Sequence, residues 1–342
     1  MNRSPISECP LDWSASIADY VASVSWAADG RLLLTSGSAG PLTLWTCNGA
    51  KVEGWLGHSG GTFNAVFSPT TNRIASTGQD GAARLWDPGN PNPVVSVEAG
   101  AEWVEQLAWA PDGSAFATGA GRQVAVWAPD GTLRWRFPAL PSTATALAWR
   151  QDSAALAAAS YSQVQRWNVV TGVPEEILPW KTSLISLAWS PDSRWIVAGT
   201  QEQTVQIWEL PFRPGQELAM SGYSSKVREL AWHHNGRSLA TGGGAEIMVW
   251  DCGGSGPAGT TPRVLEGHEQ RVTSLAYQYV GHLLASGDEI GRVRLWNPRK
   301  QSTPLAGLEL NSAITSLAWS RDDQSLALGT ADGTVAVATI CR

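Results

Sequence analysis

Short runs in which apolar and polar positions alternate recur from one end of the chain to the other, separated by Gly, Asp, Asn and Pro. Period-two alternation over four to six residues, bounded by turn formers, predicts strands rather than helices. Ile74-Ala75-Ser76-Thr77, the turn Gly78-Gln79-Asp80-Gly81 and Ala83-Arg84-Leu85-Trp86 show two such strands joined tightly. These runs belong to a repeating unit. A phrase of the type Leu-Ala-Trp-Ser-Pro-Asp places aromatic anchors at Trp26, Phe67, Trp109, Trp149, Trp189, Trp232, Tyr277 and Trp319, with gaps of 41, 42, 40, 40, 43, 45 and 42 residues. A second phrase ends 18 or 19 residues after the anchor, at Trp45, Trp86, Trp127, Trp167, Trp208, Trp250 and Trp296; the eighth copy has Ala338 there. Each copy therefore predicts three strands and a weaker fourth, such as 94–97 or 304–308.

A four-stranded unit cannot bury both of its faces alone. Repetition at this period calls for stacking, and a radial arrangement covers each face with its neighbour and leaves only short edges. The eighth copy runs out after its third strand, 334–340. The segment 9–14 has the spacing of an outer strand: Leu11 precedes Trp26 by 15 residues, as Leu305 precedes Trp319 by 14. It is expected to pair with that last strand, because otherwise both ends of the ring would present unpaired edges.

The period near 42, Gly57-His58 and Gly267-His268 ahead of the first strand, and the Leu85-Trp86-Asp87 ending resemble the WD40 family over nearly the whole chain, from about Pro10 onwards. The resemblance implies an all-β, eight-bladed WD40 β-propeller in a single domain, 1–342, with the ring closed by the N-terminal strand. It also implies a structural polar network in copy two, His58, Ser76, Asp80 and Trp86, and a partial one in copy seven, His268, Ser286 and Trp296, where Ile290 stands in the Asp position. Ala39 and Glu202 occupy that position in copies one and five, so those copies are expected to rely more on apolar packing.

Composition agrees with short strands and aromatic packing. Charged residues are only 16%, while 35 Gly and 19 Trp are present; a disordered chain would show the opposite balance. The net charge of −6 gives no bulk attraction for a polyanion, so no nucleic-acid partner is expected. The start of the chain lacks a signal-like apolar run and no stretch is long enough to span a bilayer, so the expectation is a cytoplasmic protein with no membrane partner, monomeric on its own.

No phosphate-loop, dinucleotide or nucleophile-elbow spacing occurs, and the recurrent Asp29, Asp112, Asp192 and Asp322 sit where turns need them. Neither a catalytic residue nor a cofactor is expected. What remains is binding of one or more proteins. In the family resembled, the loops entering the first strands and the turns between second and third strands form the usual recognition surface. Those places hold Tyr20, Phe63, Trp103, Glu105, Tyr161, Lys226, Arg228 and Arg271, aromatic and arginine side chains of the kind that dominate interfaces; packing of Phe63 and Trp103 between blades is the plain alternative. A metal-handling role using His233, His234 and Cys252, and an enzyme with its site in the channel, are alternative readings. Cys9 and Cys341 fall near one another if the closing strand pairs as expected, leaving a disulfide or two thiols open.

Overall fold

The computed structural model describes residues 7–100 and 103–340. The first strand of each copy packs against the first strand of the next, and that of copy eight, Ile314–Trp319, packs against that of copy one, Val21–Trp26, so the copies close a ring. Apolar clusters fill the spaces between successive copies. Trp26, Leu33 and Trp45 of copy one meet Ala327, Val335 and Val337 of copy eight, and Leu85 of copy two meets Phe116 and Trp127 of copy three.

The anchors do more than fill space. The indole N–H of Trp26, Trp109, Trp149, Trp189 and Trp319 donates to a carbonyl of the preceding copy, namely Ala318, Val66, Ala108, Ala148 and Ala276, at 3.0–3.4 Å. Each acceptor is the residue just before its own copy's anchor. The same side chain thus supplies apolar area and a directional bond that fixes one copy's height against the next. Four residues past the anchor the backbone turns left-handed: Gly30, Gly113 and Gly236 are there in three copies, with φ of +70° to +71°, while Ser153, Ser193 and Asp323 accept φ of +60° to +61° in three others.

The blade count departs from the expected eight. Among the described residues the strands make seven hydrogen-bonded sheets, because copies four and five share one six-stranded sheet. Ala155–Asn168 and Leu178–Trp189 each run on without a break: the first joins the second and third strands of copy four, and the second joins the outer strand of copy four to the first strand of copy five. Tyr161 pairs with Ser183 across them. Counted by hydrogen bonding the propeller has seven blades, one of which carries two anchors, Trp149 and Trp189. Its two halves face each other across a cluster that includes Ala157, Val164, Ile196 and Trp208.

Leu11–Ser16 pairs antiparallel with Thr334–Thr339, from Leu11 opposite Ala338 to Ser16 opposite Thr334. Trp13 then reaches copy one, donating to Cys47 O at 2.8 Å and lying 6.0 Å from the Trp45 ring. Ahead of it Ser7–Glu8 runs parallel to Ala306–Glu309 of copy seven. Cys9 is buried at this seam, its N–H donating to Gly307 O and its thiol directed at Thr339 O. Cys341, its expected neighbour, lies outside the described residues.

Candidate functional site

Buried polar networks lie within the sheets. In copy two, His58 Nδ1 meets Asp80 Oδ1 at 2.8 Å, its Nε2 meets Ser76 Oγ at 2.8 Å, and Trp86 Nε1 donates to the same hydroxyl at 2.8 Å. Copy seven repeats this with His268, Ser286 and Trp296 at 2.6–2.8 Å. The expectation that Ile290 leaves copy seven without its acid is corrected: Asp288, two positions earlier and fully buried, takes the His268 Nδ1 bond at 2.8 Å and accepts the backbone N–H groups of Ile290 and Arg292 as well. The strand Leu284–Asp288 ends on this carboxylate, which brings it to the ring that a turn residue reaches in copy two. Copy six builds a variant in which Tyr223 replaces His: its hydroxyl contacts Thr241 Oγ1 at 2.8 Å and accepts from Trp250 at 2.9 Å. Burial pushes the Tyr223 phenol up to about 12, so it stays neutral. Trp45 and Trp127, in copies one and three, donate to Thr35 and Thr118.

These networks make stability depend on pH. Burial holds His58 below its ordinary value of 6.5, outweighing Asp80. The unfolded chain takes up that proton first, so stability falls as pH drops below about 6.5. Burial raises Asp80 and Asp288, but the bonds from His58 and Arg84, and from His268 and the Arg292 N–H, bring both below 3.8. Their contribution is present above 3.8 and is lost as pH falls through the folded values. Urea midpoints from pH 8 to pH 3 are expected to decline in two stages; a midpoint unchanged between about pH 7 and pH 5 would contradict the first.

The eight expected partner-binding residues fall at one end of the ring, where chain enters the first strands. Tyr20, Lys226, Arg228 and Arg271 come together around a recess of about 430 Å³ formed by copies six, seven, eight and one. Arg271 is held by Glu289 at 2.7 Å. Glu229, which no repeat position singles out, lies half-buried in the same recess, and burial raises its carboxyl against the pull of Arg271 and Arg228. Phe63 and Trp103 form a separate aromatic pair with rings 5.9 Å apart, yet Trp103 remains 52% exposed. Glu105 is partly buried beside it in sequence, and Tyr161 is 53% exposed at the bend of the shared sheet.

At the other end, Cys252 does not join His233 and His234. It is buried, and burial pushes its thiol up to about 12. The structure instead brings His282 to the two histidines, with one ligand atom from each within 4.8 Å of the others.

Comparison with known proteins bears on the whole ring. The family model described as "WD domain, G-beta repeat" matches residues 50–87, 175–209, 215–251, 259–297 and 302–337, more than half of the chain. Among curated proteins, the Periodic tryptophan protein 2 homolog of Caenorhabditis elegans is 28% identical over 114 residues, 32% of this chain and 12% of that protein. WD repeat-containing protein slp1 of Schizosaccharomyces pombe is 28% identical over 144 residues, 42% of this chain and 28% of that protein. Cell division cycle 20.5, cofactor of APC complex, of Arabidopsis thaliana is 30% identical over 112 residues, 31% of this chain and 25% of that protein. The aligned part thus spans under a third of each relative's length. The crystal structure of the computationally designed Ika8 protein superposes with a TM-score of 0.82 over 95% of this chain and 98% of that one, at 22% identity, which speaks to the fold alone.

Proposed function

This chain belongs to the WD40 family, and from that premise we propose that it is a non-catalytic scaffold that binds one or more partner proteins at the end of the ring where chain enters the first strands. The observation that carries this is the recess itself: Tyr20 of copy one converges on one rim with Lys226 and Arg228 of copy six and Arg271 of copy seven. Exposed Trp103 and Tyr161 share that end. Aromatic and arginine side chains around a concavity are what interface energetics favour, and a closed ring holds their backbone in place, which lowers the cost of ordering them on binding. The family is made up largely of scaffolds and subunits, and one relative is by name a cofactor of the APC complex. A fold does not dictate a function, so the side chains on the rim carry the reading.

The test is affinity purification from the native cell with wild type and with Trp103→Ala, Arg228→Ala and Arg271→Ala combined. A specific co-purifying protein is expected to fall tenfold or more in the triple variant while circular dichroism stays unchanged. Equal recovery of every partner would move the docking surface away from this rim.

A further inference from the structure

Turns that leave the first strands of neighbouring copies lie side by side at the opposite end of the ring. In copies one, three, four, five and eight the residue three past the anchor, Asp29, Asp112, Asp152, Asp192 or Asp322, accepts the N–H two positions on. Asn235 does so in copy six, at 2.9 Å. What sets copy six apart is the pair just before it, His233-His234. Copy seven caps its turn from outside: Asp323 of copy eight accepts the N–H groups of Tyr279, Val280 and Gly281 at 2.7–2.9 Å, which fixes the backbone next to His282. His233 is only 2% exposed and lies edge-on to the Tyr277 ring. His233 Nε2 stands 2.9 Å from His282 Nδ1, and the His234 ring centroid is 4.2 Å from that of His233 and 5.7 Å from that of His282.

We propose that His233, His234 and His282 bind one divalent transition-metal ion of the class that prefers imidazole, such as zinc, nickel or copper(II). Three imidazoles with one immobile and two exposed suit such an ion. Metal–nitrogen bonds of roughly 2.0–2.1 Å place two tetrahedral ligands somewhat over 3 Å apart, so the buried His233 sets the position and the exposed rings close on it. Three protein ligands leave a fourth position for water or a partner's side chain. The cluster contains no carboxylate among the described residues, which disfavours magnesium and calcium.

Proton positions follow. Ligation by His233 Nε2 moves its proton to Nδ1 and gives up the 3.2 Å bond from the Asn235 N–H. Ligation by His282 Nδ1 leaves a proton on Nε2, which faces Arg299 Nη1 at 3.1 Å. Arg299 can only donate, so it must turn into solvent, and its charge opposes the incoming ion.

Isothermal titration of the full chain, stripped of metal with a chelator and titrated with zinc ion alone, decides the matter. One ion per chain is expected, with affinity falling at least tenfold in His282→Gln and in His234→Gln. Both side chains are exposed, so circular dichroism should stay unchanged. Arg299→Ala is expected to bind several-fold more tightly, and excess magnesium should not compete. Absence of zinc binding by the wild type, or wild-type affinity in either histidine variant, overturns the site; unchanged affinity in Arg299→Ala overturns the assignment of Nδ1.

Discussion

A variant lacking residues 1–16 is expected to lose cooperative unfolding and to elute as aggregate in size-exclusion chromatography. Leu11–Ser16 makes five register pairs with Thr334–Thr339. At a net value of about 1 kcal/mol for each hydrogen bond, the ladder contributes about 5 kcal/mol, as large as the whole stability of many domains. The loss does not stop there. Trp13 leaves the Trp45 ring, and the strand Thr334–Thr339 becomes an open edge available to other chains. A truncated protein that stays monomeric, with an unchanged thermal midpoint, would show that the ring does not need this strand.

Asp288→Ala is expected to cost about 3–5 kcal/mol, because each buried donor left without an acceptor costs about 1–3 kcal/mol. The carboxylate is fully buried and receives His268 Nδ1 and two backbone N–H groups, so its loss leaves three donors without acceptors. Asp288→Asn should recover part of the loss, because the amide oxygen still accepts. Chemical denaturation of the three proteins at pH 7 checks this; an Asp288→Ala midpoint within error of wild type would mean that the network adds nothing to stability.

The strands, their anchors and the closing segment are legible in the sequence because each rests on a local rule: alternation, turn residues and a period near 42. The number of sheets is not legible. A period counts copies, whereas a sheet ends where hydrogen bonding ends, and nothing in the spelling of Tyr161 or Ser183 announces that they pair. Asp288 escapes the repeat pattern because copy two puts its acid four residues after the serine; in copy seven the acid stands two after Ser286. His282 escapes for another reason. It is 48 residues from His234, and only the alignment of equivalent turns in adjacent copies brings them together. A signal does exist. In copies six and seven the residues one and two past the first anchor meet the residue five past the next, so aligning the repeats by their anchors sets these histidines on equivalent turns of adjacent copies.

The sheet shared by copies four and five also bears on how such a ring grows or shrinks by copying and losing units. Elsewhere among the described residues the chain leaves one sheet before it starts a strand of the next, so a whole unit can be inserted or removed between strands without dividing one. Between copies four and five the crossing is itself a strand, Leu178–Trp189. A recombination event at that boundary would sever the outer edge of one unit and the inner edge of the other together. Exchange at that junction is therefore expected to disrupt strand pairing that exchange within a connecting loop would leave whole.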